Sequence, residues 1–311
     1  MTENVRRAAE ILRAGGLVAF PTETVYGLGA DASSAAAVAR LYRAKGRPED
    51  HPVIIHFSLP EDAFAWGREI PAAARKLAER FWPGPLTLVV KRSAKARDFV
   101  TGAQDSVGLR VPSHPVAQAL LSEFGDGVAA PSANVFGHVS PTTAQHVRDD
   151  FAGQVDLVLE GGASNVGIES TIVDLSNADP VLLRPGDISK ARLEEALGAK
   201  VAEKKAESPR HSGGLDRHYA PKTPALLVPM HQLDAEIGNR HTAVAVLAFS
   251  RPDERVDFWI RMPREPQAYA QRLYAALREL DSAHCETILI EMPPETAEWT
   301  AVRDRLSRAT R

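Results

Sequence analysis

Between Leu17 and Arg184 the chain breaks repeatedly into short apolar runs: "LVAF" (17–20), "PVIIHF" (52–57), "LTLVVK" (86–91), "VGLRV" (107–111), "DLVLE" (156–160), "STIVDL" (170–175) and "PVLLR" (180–184). Each is too short for a helix and rich in the residue types that suit a pleated surface. Between them lie stretches with helical periodicity, "SSAAAVARLYRAKG", "PAAARKLAERF" and "PVAQALLSEF". Strands alternating with helices leave one fold class, α/β, for a first domain of residues 1–202. The alternation stops at "EKKAESPRHSGGLDRHYAPKTP", which has no apolar period and reads as a linker over 203–223. It resumes in "ALLVP", "TAVAVLAF" and "TILIEM", set among helical "PQAYAQRLYAALRELD" and "PETAEWTAVRDRLSRAT". That is enough for a small three-layer α/β domain over 224–311.

The chain of 311 residues, 44% hydrophobic and 25% charged, can bury a core without staples. A single cysteine, Cys285, rules out an internal disulfide and a cysteine-based zinc or iron–sulfur site, and fits a reducing compartment. The N-terminus reads as an amphipathic helix without a secretory apolar core, and no run reaches membrane-spanning length. The expectation is a soluble cytoplasmic protein. Net charge is −3, and residues 201–311 balance 16 basic against 16 acidic side chains. This lacks the basic excess of a duplex-binding domain.

The stretch "PTETVYGLGADA" (21–32) ends in G-x-G-x-x-A, close to a dinucleotide-binding turn. That turn needs its first glycine where the strand ends, so that a helix N-terminus meets the pyrophosphate; here "PTETVY" intervenes. The chemistry lies instead in polar clusters that interrupt the strands: "PTETVYGL", "KGRPEDHPVIIH", "SVGLRVPSHP", "PSANVFGHVSPTTAQHV", "GGASNVGIESTIVDL" and "LLRPGDIS". Together they offer hydroxyl and amide donors and fixed cations, a set suited to phosphate, without an evident nucleophile. Simpler readings stand beside this one. "PSAN" serves equally as a turn, with Ser132 and Asn134 as caps, and Lys45 and Arg47 suit the cation-favouring end of a helix. His56 fits either a satisfied core histidine or a site group. Arg110, in the middle of a strand pattern, requires an anionic partner if it is buried. The histidines show no metal-ligand spacing, so no protein-bound metal is expected.

In order along the chain, "PTETVYGLGADA", "KGRP", "HPVIIH", "WPGPLTLVV", "GLRVP", "PSAN…G…SPT", "GIESTIVDL", "LLRPGDI" and "HYAPKTP" resemble the YrdC family, in its long form with an added C-terminal domain. The resemblance implies a twisted open-sheet domain followed by a Rossmann-like α/β domain. It also implies an activity: joining L-threonine, bicarbonate and ATP, carried with Mg2+, into threonylcarbamoyl-AMP and pyrophosphate. A partner transferase would then pass the threonylcarbamoyl group to tRNA. Lys45 and Arg47 match the family's triphosphate clamp and are the implied catalytic pair. His51, Ser106, Ser132, Asn134, Ser140, Arg184 and Tyr219 complete the implied ATP site, and Thr24, His56, Arg110 and Ser170 the threonine site. His51, Ser106 and Ala130 stand where relatives more often carry Asn, Thr and a hydroxyl residue. Gly213 and Gly214 as a hinge, with Pro221 and Pro224 as stiffeners, imply that His218 and Tyr219 form a lid over the nucleotide. Two other classes remain: an RNA-binding or ribosome-associated module, and a carbamoyl-adenylate enzyme with another acceptor.

Overall fold

The computed structural model describes residues 2–214 and 218–310; residues 215–217 of the expected linker lie outside them. By contacts the chain divides into two units. The first comprises 1–136, 141–165 and 169–214, and the second 137–140, 166–168 and 215–311. The stretch read as one linker is thus shared between the units. Two short segments within the first unit's sequence group with the second.

Ten strands build the sheet of the first unit: β1 (Val18–Phe20), β2 (Gly27–Asp31), β3 (Ile54–His56), β4 (Leu86–Lys91), β5 (Ser106–Arg110), β6 (Val128–Ala129), β7 (Leu157–Val158), β8 (Thr171–Asp174), β9 (Val181–Arg184) and β10 (Ala202–Glu203). Their order is β10-β9-β8-β4-β5-β3-β6-β2-β1-β7. The sheet is mixed: β3 and β5 run parallel, for example, while β4 and β5 run antiparallel. β2 was not expected as a strand. It contains both glycines of the G-x-G sequence, and a Cβ on Gly29 would come within 2.9 Å of Phe20 Cε1 and Val128 Cγ1. Gly29 therefore gives way to the sheet's own side chains.

Strand alternation assigns the two faces. One carries Ile55, Leu88, Val90, Leu109, Ala129 and Val173 into the main core, covered by helices that include Ala35–Lys45 and Ala72–Phe81. The other is divided. Its β1–β6 end buries Val18, Phe20, Val128 and Ala130 beneath helices Thr2–Arg13 and Pro115–Phe124. Its middle carries Ser106, Gly108 and Arg110 at every second position of β5, beside His56 of β3 and Thr87 of β4. Only a small apolar floor, Ile54, Val89, Ile172 and Leu183, accompanies them. This polar half-face positions the candidate site.

The second unit has four parallel strands, β11 (Ala225–Val228), β12 (Val244–Ala248), β13 (Phe258–Arg261) and β14 (Thr287–Glu291), in the order β11-β14-β12-β13. Leu233 and Ile237 of the helix Leu233–Gly238 pack on Val244, Val246, Ala248 and Leu289. Helices Pro266–Asp281 and Thr300–Ala309 form the other layer against β11, β12 and β13. Three layers result, as the alternation predicted. Among the described residues, no helix is long and apolar enough to cross a membrane.

Candidate active site

The helix Ala35–Lys45 is capped by the Ser34 hydroxyl on the amide of Ala37 and stops at Gly46, which adopts φ +62. A left-handed residue suits glycine at that place. The Arg47 amide then bonds back to the carbonyl of Tyr42 at 2.9 Å, so Lys45 and Arg47 are placed by the way the helix ends. The Lys45 ammonium donates to the carbonyls of Ser132, at 2.5 Å, and Asn134. Ser132 donates to Asn134 Oδ1 at 2.5 Å, and Asn134 Nδ2 donates to the carbonyl of Val135. "PSAN" is thus a closed turn pinned by a lysine, as the turn reading expects. Burial, and then the nearby Arg47, push Lys45 well below the usual lysine value. Arg47 donates to the carbonyl of Pro52 at 2.8 Å and lies 5.6 Å from the centre of the Phe136 ring. His51 packs edge-on against the same ring, and burial lowers its pKa, as does Arg47.

On the half-face, Arg184 Nε donates to the carbonyl of Ser170 at 3.0 Å and Nη2 to its hydroxyl at 3.1 Å. The Ser170 hydroxyl lies 2.8 Å from that of Thr87. Arg184 Nη1 donates to the carbonyl of Ser212 at 2.9 Å. The Ser212 hydroxyl donates to Pro52 O and lies 3.5 Å from Arg47 Nη2. Arg210 bonds Asp50 and the carbonyl of Gly102. Residues 210–212, read from sequence as featureless linker, therefore lie across the arginines. Beneath them a cavity of about 20 Å³ remains, bounded in part by Ile54, Thr87, Ser106 and Gly108. That is room for about one water.

Arg110 is 4% exposed, so its charge needs a partner, and the partner is Glu23, 6% exposed, at 2.6 Å. Sequence reasoning required such an anion and looked for it in a substrate carboxylate; the chain supplies one itself. Glu23 Oε2 also accepts from the amide of Ser113 at 3.0 Å. His56 stands opposite Arg110 in the β3–β5 register. Burial and the guanidinium lower its pKa to about 3, and its Nδ1 has no hydrogen-bond partner. Thr24 is fully buried, its hydroxyl 2.8 Å from that of Thr22, which in turn donates to the carbonyl of Val25.

The structure therefore brings Lys45, Arg47, His51, Ser132 and Asn134 into one cluster, and Ser106, Ser170 and Arg184 into another joined to it through Ser212. Arg110 and His56 sit beside each other, with Thr24 on the loop that carries Glu23. Ser140 is fully buried and groups with the second unit. Tyr219 also belongs to that unit, at φ +62. Its ring is buried against His218, Tyr274 and Arg305. The linker residues found over the arginines are Arg210 and Ser212. Neither these two nor Glu23 could be singled out by spacing.

The Sua5_yciO_yrdC family, described as "Telomere recombination", matches residues 10–186, and the "Threonylcarbamoyl-AMP synthase, C-terminal domain" family matches residues 188–310. The chain is 39% identical to a threonylcarbamoyl-AMP synthase of Pyrococcus abyssi, over 98% of this chain and 94% of the relative. It is 37% identical to one of Bacillus subtilis, over 98% and 92%. The crystal structure of P. abyssi Sua5 complexed with L-threonine superposes with a TM-score of 0.93 at 37% identity, covering 100% of this chain and 95% of that one.

Proposed function

The chain belongs to the Sua5_yciO_yrdC family, in the form that carries the threonylcarbamoyl-AMP synthase C-terminal domain, and from that premise we propose how its residues make threonylcarbamoyl-AMP from L-threonine, bicarbonate and ATP. The threonine amine and bicarbonate give the carbamate with loss of water. A carbamate oxygen then attacks the α-phosphorus, and pyrophosphate leaves with the electrons of the broken P–O bond. The nucleophile comes from the substrate, so the protein has to position two anions and offset the charge that develops between them. The observation that carries this reading is the polar half-face. Five cationic or neutral donors, Lys45, Arg47, Arg110, Arg184 and His56, stand on or beside this face of the sheet.

Lys45, Arg47 and Arg184 hold the triphosphate, helped by Ser132, Asn134, His51 and Ser106. Arg110 takes the threonine carboxylate, with His56, Thr24 and Ser170 around the amino acid. These donors suit phosphate oxygens better than a bare cation, so Mg2+ would be held by the nucleotide's own phosphates, where it offsets their charge. A separate transferase would carry the threonylcarbamoyl group to tRNA, in the cytoplasm where tRNA is found. The test is pyrophosphate release from ATP by the full chain with threonine and bicarbonate, each omitted in turn. Release should require both, and release that ignores threonine would overturn the reading.

A further inference from the structure

The Glu23–Arg110 pair does more than neutralise a buried charge. Arg110 Nη2 is taken by Glu23 and Nε lies 3.4 Å from the carbonyl of Gly84. Among the described residues, no hydrogen bond is made to Nη1. The guanidinium is therefore fixed on one edge and open on the other. The group across the β3–β5 register, His56 Nδ1, is buried and also without a partner. One unspent nitrogen, His56 Nδ1, thus lies buried beside a guanidinium edge that no hydrogen bond occupies, and leaving such a buried group unspent is costly.

Glu23 is itself held. Its second oxygen takes the Ser113 amide, and its loop is closed by Thr22, whose hydroxyl accepts from the amides of Thr24 and Val25. A carboxylate fixed at both oxygens sets the plane of the guanidinium that it binds.

We propose that Glu23 is a positioning residue for the amino-acid substrate: it holds Arg110 by one edge so that Nη1, together with His56 Nδ1, receives the incoming carboxylate. Arg110 then bridges two carboxylates, one resident and one arriving. This rests on the reading of Arg110 given above. A Glu23 that served only to stabilise the fold would affect all substrates alike, whereas an orienting Glu23 affects one.

The experiment measures initial rates of pyrophosphate release by the full chain, varying threonine and ATP separately. Glu23→Gln preserves size and an acceptor for Ser113 but loses the charge-assisted grip on Arg110. Its apparent KM for threonine should rise tenfold or more, with KM for ATP within about twofold and kcat far less affected. Glu23→Asp should fall between, and formate should restore much of the threonine affinity of Glu23→Ala by filling the vacated space. In an Arg110→Met background, Glu23→Gln should add almost nothing, since Glu23 acts through the arginine. Equal changes in both KM values, or a full additional effect in the Arg110→Met background, would overturn the proposal. Wild-type release that does not depend on threonine would instead reject the underlying function. If Glu23→Gln does not fold, the Glu23→Asp split between the two KM values decides the question.

Discussion

Replacing His56 with glutamine should make the protein less sensitive to acid. In the folded chain the imidazole titrates at about 3, against an ordinary value of 6.5, because it is buried and faces Arg110. The unfolded chain therefore binds a proton that the folded chain refuses throughout the window from 6.5 down to about 3. Stability from this group is complete above the unfolded value and is lost progressively as pH falls through the window. The whole shift corresponds to roughly 5 kcal/mol at 1.36 kcal/mol per pH unit. At pH 4.5, two units below the unfolded value, about 2.7 kcal/mol should be gone. Urea unfolding of wild type and His56→Gln at pH 7.5 and 4.5 gives the comparison, and the other titrating groups cancel in the double difference. Wild type should lose about 2.7 kcal/mol more than the variant between those conditions. Parallel losses would refute the argument, by showing that the imidazole is protonated or solvated in the folded state.

Lys45, pushed down by burial and by Arg47, should recover its proton affinity when a polyanion arrives. ATP binding is then accompanied by proton uptake over the pH range in which Lys45 titrates in the free chain, read as a calorimetric heat that varies with the buffer's ionisation enthalpy, and Lys45→Met should abolish the variation. Arg110→Lys loses the planar fork and should raise KM for threonine much more than KM for ATP in steady-state kinetics. Gly29→Ala drives a methyl to 2.9 Å from both Phe20 and Val128; overpacking of this kind costs about 1–3 kcal/mol, measurable as a lower urea midpoint with an unchanged sheet signature in circular dichroism.

The strands that sequence located are those with an unbroken apolar run. "LTLVVK" and "TILIEM" became β4 and β14 almost to the residue. β2 was hidden because "GLGAD" offers two glycines and no alternation, and its strand character comes from pairing with β1 and β6. β13, "FWIR", was hidden among charged neighbours. The demand that Arg110 makes for an anion was legible from its place in "VGLRV", but the identity of that anion was not, since Glu23 lies 87 residues away. His56 was left between core and site; the structure buries it within the sheet and leaves its Nδ1 without a hydrogen-bond partner. Ser212 was invisible for a different reason. Ser212 meets Arg184 through its backbone carbonyl, and a backbone contact leaves no trace in residue type.

Gly167 stands in the "GIESTIVDL" stretch, three residues before Ser170, yet it groups with the second unit. It has φ +80, and a Cβ there would lie 2.4 Å from Gln271 Cα on the helix Pro266–Asp281. Gly137–Ser140 is tied into the same unit, through Ala220 on Gly137 and Arg278 on Val139. The second unit is accordingly discontinuous in sequence, built from 137–140 and 166–168 as well as the C-terminal stretch. Grafting this domain onto a shorter relative therefore calls for transplanting 137–140 and 166–168 with it, because those segments belong to the unit being moved.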